Sequence, residues 1–445
     1  MQDLTDLTAS EAAGRLARGE LSAVDMVDAC LDRVAAADGA IEAWAHLDAG
    51  FAREQATEAD AFRRAGHPTG PLHGVPVGVK DIIDTRALPT ENGTPLDAGR
   101  RPTADATVVA RLHQAGAVVL GKTVTTELAY FSPGKTRNPH DRERTPGGSS
   151  SGSAAAVAAH MVPFAIGTQT NGSVIRPAAF CGTVGFKPSH GLIPRHGILQ
   201  QSPHLDTVGV FARTVEDAAL LADALVGFDP ADPATCPAAH PRLGDIAGAE
   251  PPVTPSFALV RQPVWDQAEA ATREAFSELK GFLGDACDDV ELPAPFDRGH
   301  AIHRTIMTAD FAKNLGRYYD AGEAQLSAQI RQAIEEGRTV LAADYNIALE
   351  WIEILNAGLD ELFERYDAIL TPAAPGEAPM GLDATGNPAF CTLWTLCGTP
   401  AVTLPLLQGE NGLPVGVQLV APRGDDGRLL RTARWLMKRV LEADD

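Results

Sequence analysis

Apolar positions near the start of the chain recur at helical spacing. Val24, Val27, Leu31 and Val34 form an i, i+3, i+7 stripe. Thr8-x-x-Glu11 and Ser22-x-x-Asp25 both resemble helix-start caps. The period then shortens. Val75, Val77 and Val79 alternate as in a strand, Asp105 is placed to cap a helix running to Ala115, and Ala117–Leu120 has the character of a buried strand. A Gly/Ser-rich stretch, Pro146–Ser153, opens into an Ala-rich helix ending near His160, and a strand from Val162 to Thr168 follows. Residues 267–366 are mainly helical by pattern, and strand character returns at Ala368–Leu370 and Val415–Val420. The segment from Cys236 to Pro255 is rich in Pro and Ala and poor in large apolar residues, so it reads as an exposed connection. Helices and strands alternate on both sides of it. That predicts one α/β unit with an insertion rather than independent domains.

Composition narrows the function classes. Of the 445 residues 44 % are hydrophobic, enough for a sizeable core, and the formal net charge is −21. So acidic a chain repels nucleic acid and anionic lipid, and neither is expected as a partner. The six cysteines, Cys30, Cys181, Cys236, Cys287, Cys391 and Cys397, include no C-x-x-C pair, so neither a zinc site nor a disulfide framework is suggested. The first residues carry no basic-then-apolar leader, and the most apolar stretch, Gly152–Gly167, is too short to span a bilayer. A cytoplasmic protein is the expectation.

Three motif matches weaken on physical grounds. Gly116-Ala-Val-Val-Leu-Gly121-Lys122-Thr123 satisfies the phosphate-loop pattern, but its Ala-Val-Val-Leu interior favours a strand over a loop curling around phosphate. Gly148-Ser149-Ser150-Ser151-Gly152 fits a nucleophile elbow centred on Ser150, the basis for a Ser-His-Asp reading; Pro133, Pro139 and Pro146 spoil the strand that should precede it. Asn92-Gly93-Thr94 and Asn171-Gly172-Ser173 match the glycosylation sequon without a secretory leader.

Two features carry more chemistry. Lys80 ends the Val-rich strand, and a buried ammonium is costly unless its pKa falls; snorkelling to solvent or pairing with Asp81 is the ordinary alternative. Thr168-Gln169-Thr170-Asn171-Gly172-Ser173 directly follows a predicted strand, and such a turn presents successive N–H groups to one point, which suits an oxyanion.

Taken together, Lys80, the Gly-Gly-Ser-Ser-Ser-Gly-Ser run and the Gly-Thr-Gln-Thr-Asn-Gly-Ser turn resemble the amidase-signature family. The separation of 24 residues between Ser149 and Ser173 is the family's own. The flanks are similar as well: Pro71–Pro76 before the lysine and Arg176–Gly182 after the second serine. The likeness is dense from Leu72 to Pro194, weaker from Asp367 to Leu430, and slight over residues 240–360.

The resemblance implies an α/β fold with a single large mixed, twisted sheet covered by helices on both faces. It would occupy residues 1–445 as one domain, with a catalytic core at about 70–215 and 367–432 and a variable helical region at about 256–366. It implies a Ser-Ser-Lys triad with Ser173 as nucleophile, Ser149, on a cis peptide bond, as bridge, and Lys80 as base. The backbone N–H groups of Thr170, Asn171, Gly172 and Ser173 would form the oxyanion hole, and Ser151 would help to hold the amine. Arg176 stands three residues after the nucleophile, as in malonamidase-like members where it binds a substrate carboxylate; a structural ion pair is the alternative. Gln169 is assigned to substrate binding, and Asn171 is expected to narrow the space beside the oxyanion. The expected reaction is hydrolysis of a small amide, one bearing a carboxylate or ureido group, through an acyl-serine, with water as co-substrate and without metal or organic cofactor. The glutaminase component of a tRNA-dependent amidotransferase is the alternative within the family, and an inactive scaffold the alternative outside catalysis. Homodimers are common among such enzymes, so a homodimer is an option here. The acyl pocket is expected from residues 300–400.

Overall fold

The computed structural model describes residues 3–444. Eleven strands form one sheet: β1 Trp44–Leu47, β2 Pro76–Lys80, β3 Val118–Thr123, β4 Phe164–Gln169, β5 Val184–Lys187, β6 Thr207–Ala212, β7 Phe257–Val260, β8 Cys287–Val290, β9 Ala368–Pro372, β10 Ala401–Gln408 and β11 Pro414–Val420. Their order across the sheet is β1-β3-β2-β4-β6-β5-β10-β11-β9-β7-β8. β2 runs parallel to both β3 and β4, the middle of the sheet from β4 to β9 is antiparallel, and β9, β7 and β8 are parallel again. The sheet is therefore mixed, and residues 256–366, expected to be helical, also supply two of its strands, β7 and β8.

Side chains alternate across this sheet with the two-residue period of strands. Phe257 and Leu259 of β7, Leu370 of β9 and Val417 and Leu419 of β11 enter one core, which the C-terminal helix covers with Leu429, Leu430 and Ala433. Their neighbours Ala258, Val260, Ile369 and Val420 enter a second core on the other face, with Ile306, Phe311 and Leu355 from helices Gly299–Gly322 and Ala342–Phe363. Burial on both faces explains why these strands read as continuous apolar runs.

Local signals were obeyed where they act over a few residues. Thr8 and Glu11 close a capping box, and Ser22 accepts from the Asp25 N–H. Asp105 is a correction. Its helix starts at Thr107 with no side-chain cap, and the Asp105 carboxylate instead accepts from the Arg86 N–H at 2.7 Å. The phosphate-loop look-alike is β3 itself, with Gly121, Lys122 and Thr123 inside the strand. The expected connection 236–255 contains the short helix Leu243–Gly248.

The helix Ser151–Ala158 packs so tightly that Gly152 has no room for a side chain. A Cβ there would lie 2.2 Å from the Ala43 carbonyl oxygen and 2.3 Å from the Val124 nitrogen, both backbone atoms. Gly152→Ala is expected to cost at least about 3 kcal/mol, since neither contact can rotate away. Urea unfolding would read the loss, and a change below about 1 kcal/mol would show that the helix can slide.

Candidate active site

The sheet order brings β4 beside β2, so Lys80 at the end of β2 lies next to the end of β4. Lys80 has no solvent exposure. Its Nζ lies 2.8 Å from Ser149 Oγ and 2.8 Å from Thr168 Oγ1. Burial pushes its pKa well below the usual lysine range, opposed only by the field of Asp206. The alternative pairing with Asp81 is absent, because Asp81 faces Lys122 at 3.4 Å.

Two other buried lysines show what is distinctive here. Lys122 donates to the Ile83 carbonyl and Thr90, and Lys187 to the Pro188 and Thr399 carbonyls. A carbonyl can only accept, so those contacts return no proton to the nitrogen, although burial lowers both pKa values, to about 8 for Lys122 and about 7 for Lys187. Lys80 instead meets two hydroxyls, which donate as readily as they accept. A neutral amine fits there.

Ser149 follows a cis Gly148–Ser149 peptide bond. Ser173 lies just past β4, ahead of the helix Ile175–Cys181, and is half-buried. Its hydroxyl has no hydrogen bond among the described residues. The two serine segments are tied together by Arg176, whose Nη2 donates to the Gly148 carbonyl at 2.7 Å.

Residues 170–173 form a loop in which Thr170 and Asn171 are fastened by carbonyl and side chain, while the loop N–H groups have no acceptor among the described residues. The Thr170 carbonyl accepts from His303 Nε2 at 2.9 Å, and the Asn171 carbonyl accepts from Thr395 Oγ1 at 2.5 Å. Thr392 Oγ1 donates to Asn171 Oδ1 at 2.8 Å, which turns that side chain toward the helix Ala389–Leu396. Among the described residues, the N–H groups of Thr170, Asn171, Gly172 and Ser173 donate to no protein acceptor. Four such donors in sequence can hold an oxyanion.

Gln169 requires a correction. Its Oε1 accepts from the Val174 and Ile175 N–H groups at 2.8 and 3.0 Å, and its Nε2 donates to Thr395 Oγ1 at 2.9 Å. With both ends of the amide engaged in the protein, Gln169 braces the loop and caps the following helix rather than facing a substrate. Ser151 is a second correction. It donates to the Val124 carbonyl at 3.3 Å, and the amine is held by Thr168 instead. The Ser150 elbow also fails, because its fully buried hydroxyl is pinned to the Thr168 backbone, donating to O and accepting from N at 3.2 Å each.

Arg176 is buried and forms no ion pair among the described residues. Beyond Gly148 it reaches Thr385 Oγ1 at 3.1 Å, and its guanidinium stands 5.9 Å from the Phe131 ring centre. Its Nε and Nη1 have no partner among the described residues. Burial lowers its pKa to about 10, and the only opposing influence is the Cys391 thiol. The ion-pair alternative is thereby removed. A buried cation with two unused donors has hydrogen-bonding capacity left for an anion. Beside the loop lies a cavity of about 350 Å³ lined by Phe131, Asn171, His300, His303, Met307 and Thr392, mostly from the stretch expected to build the acyl pocket.

Thr168, His303, Thr392 and Thr395 were not anticipated. Thr168 had a local signal, since it is the last hydroxyl of a predicted strand leading into the turn. The other three lie in helices far along the chain and carry no mark of their destination. Among the described residues one trio, His46, Asp81 and Glu91, brings metal-ligand atoms within 4.8 Å of one another. The Lys122 ammonium beside Asp81 and the 2.9 Å His46–Glu91 contact already supply its charge balance, so the trio does not fit a metal. No helix among the described residues is long and apolar enough to cross a membrane.

Known proteins are similar to this chain in sequence and fold. Residues 25–430 match the family described as Amidase. A glutamyl-tRNA(Gln) amidotransferase subunit from Salinispora arenicola is 36 % identical, with 99 % of this chain and 98 % of that protein covered. Its counterpart from Streptomyces coelicolor is 35 % identical, over 97 % and 95 %. Among solved structures, the native peptide amidase from Stenotrophomonas maltophilia superposes with a TM-score of 0.85 at 31 % identity, covering 98 % of this chain and 97 % of that one. A protein from a vestigial complex that reveals the evolutionary origins of an s-triazine catabolic enzyme reaches 0.90 at 29 % identity, covering 98 % of both chains. With the family matched over most of its length and the fold shared from end to end, the chain belongs to the amidase-signature family and is a hydrolase of carbon–nitrogen bonds.

Proposed function

We propose that the chain hydrolyses a carboxamide of a small, carboxylate-bearing substrate through an acyl-Ser173 intermediate. The observation that carries this reading is the buried Lys80 amine set between two hydroxyls, one of them on Ser149. Ser173 Oγ attacks the carbonyl carbon while its proton moves to Ser149, and the Ser149 proton moves to Lys80 Nζ. Ser149 and Ser173 close to relay distance as substrate settles, as catalytic hydrogen bonds commonly do. The N–H groups of residues 170–173 hold the oxyanion. On collapse the carbon–nitrogen bond breaks and the leaving nitrogen takes a proton from Ser149, which is replenished from Lys80. Water then attacks the ester, its proton following the same route, and the acid leaves. Each transferred proton has a place on Lys80, Ser149 or Ser173.

Arg176 supports the carboxylate. A second reading, glutamine hydrolysis within an amidotransferase, is favoured by the name of the curated relatives. Glutamine also carries a carboxylate, so Arg176 serves either substrate. It further carries an α-ammonium, which requires an acidic partner, and Glu336, a carboxylate bordering the Phe131 cavity, is already paired with Arg304 at 2.6 Å. That balance favours a simple anionic amide.

A fluorophosphonate probe is expected to label the wild-type protein on Ser173 and to leave Ser173→Ala unlabelled. Ammonia release should then be faster from malonamate than from glutamine. Glutamine turnover that rises only when the other amidotransferase components are added would establish the second reading. Labelling that persists in Ser173→Ala would remove both.

A further inference from the structure

Next to the oxyanion loop lies a second cavity of about 220 Å³ bordered by Thr168, Thr170, Arg195, His196 and Asp206. Asp206 lies deep in the protein and retains part of its surface toward this space. Thr170 Oγ1 is 2.6 Å from Asp206 Oδ1 and also 2.6 Å from Gln201 Oε1. A threonine hydroxyl owns one proton and can donate it once. Turning the Gln201 amide over does not help, because its Nε2 donates to the Leu128 carbonyl at 2.6 Å, and a flip would set two carbonyl oxygens against each other. Two oxygen–oxygen contacts this short need two protons. The second can belong only to Asp206. Its other oxygen, Oδ2, accepts from the Gln201 and Ser202 N–H groups at 2.8 and 3.0 Å, so the proton sits on Oδ1. The chain of donation then runs from the Asp206 acid to Thr170, from Thr170 to Gln201, and from Gln201 to Leu128.

We propose that Asp206 is a positioning residue that works as a carboxylic acid: its O–H clamps Thr170 in the oxyanion loop, and loss of that proton to water sets a carboxylate behind Lys80 that favours the ammonium over the amine. This rests on the reading of Lys80 as the base. The charged and titratable groups facing Asp206 come from several elements. Lys80 at the end of β2 feels its field, and Arg195 donates to its carbonyl at 3.0 Å while paired with Asp232 at 2.8 Å. His196 borders the cavity, and His303 holds Thr170 from the far side. Asp310 is one step removed, accepting from Ser202 Oγ at 2.5 Å. Burial raises the Asp206 carboxyl to about 6 against the pull of these hydrogen bonds and Arg195.

Asn is the isostere of the acid form. Its carbonyl can take the two backbone N–H groups while its NH₂ donates to Thr170. The experiment compares Asp206→Asn and Asp206→Ala by two readouts. The first is the infrared band of a protonated carboxyl, which does not depend on catalysis. It is expected in the wild type, titrating with a midpoint near 6, and absent from Asp206→Asn. A wild-type spectrum without that band above pH 5 would overturn the proposal. The second is the pH profile of fluorophosphonate labelling. Asp206→Ala should label about tenfold more slowly, and Asn should rescue most of that loss. The acid limb of Asp206→Asn should lie at lower pH than that of the wild type, and an unmoved limb would break the link to Lys80. If labelling of Ser173 fails in the wild type while the infrared band is present and lost in Asp206→Asn, the proposed function falls and the acid clamp on Thr170 stands.

Discussion

Lys80→Met is expected to slow acylation of Ser173 by about 10⁴-fold, because the relay loses its final proton acceptor while the oxyanion donors remain. Fluorophosphonate labelling and single-turnover ammonia release both read this step. In the wild type the sign of the pH dependence follows from burial. The amine accepts a proton only when neutral, so the rate rises with pH through the lowered pKa of Lys80 and falls as acid converts it to ammonium.

The same shift acts on stability. Between the folded and unfolded pKa values the unfolded chain binds the extra proton, so this contribution to stability grows as pH rises through that window and is lost as pH falls. Lys122, lowered to about 8, and Lys187, lowered to about 7, contribute in the same direction. Lys80→Met should therefore remove one share of the pH dependence of Tm and leave the rest. Labelling within about tenfold of wild type would show that Lys80 is not the base.

Arg176→Met should raise KM for carboxylate-bearing amides by about 10²-fold to 10³-fold, the cost of leaving a buried anion without its cation. KM for neutral amides should change far less, since they present no charge to the guanidinium. The variant is also expected to fold, because it deletes a buried cation that has no carboxylate partner and two unused nitrogens. Gly148 and Thr385 lose one donor each, which offsets part of that gain. Paired assays on an acidic amide and its neutral ester or methyl analogue separate the two roles. Equal losses on both substrates, carried in kcat, would make Arg176 a brace for the Gly148–Ser149 segment and not a substrate anchor.

Parts of the site were legible because their signals are local. The strand-like alternation ending at Lys80 and the Gly/Ser run before an Ala-rich helix each depend on residues a few positions apart. So does the turn after the strand that ends at Thr168. The ordered spacing of Lys80, Ser149 and Ser173 added the family likeness. Strands β5, β6 and β10 had no comparable mark. Their apolar residues show no clear alternation, and they become strands because neighbours already in the sheet offer them backbone partners.

The employment of individual side chains was decided elsewhere. Gln169 looked like a residue facing substrate until Thr395, 226 positions away, took its amide. Arg176 could have met a carboxylate; it met Thr385, 209 positions away, and a carbonyl. Ser151 stood two residues from the bridge, yet Thr168 reached the amine because β4 lies against β2. The amino-acid order alone determined that a lysine, two serines and a row of loop amides exist at the spacing of an amidase. Which of their neighbours touch them followed from a sheet whose strands are not adjacent in chain order, since contacts across such a sheet join residues that no local periodicity relates.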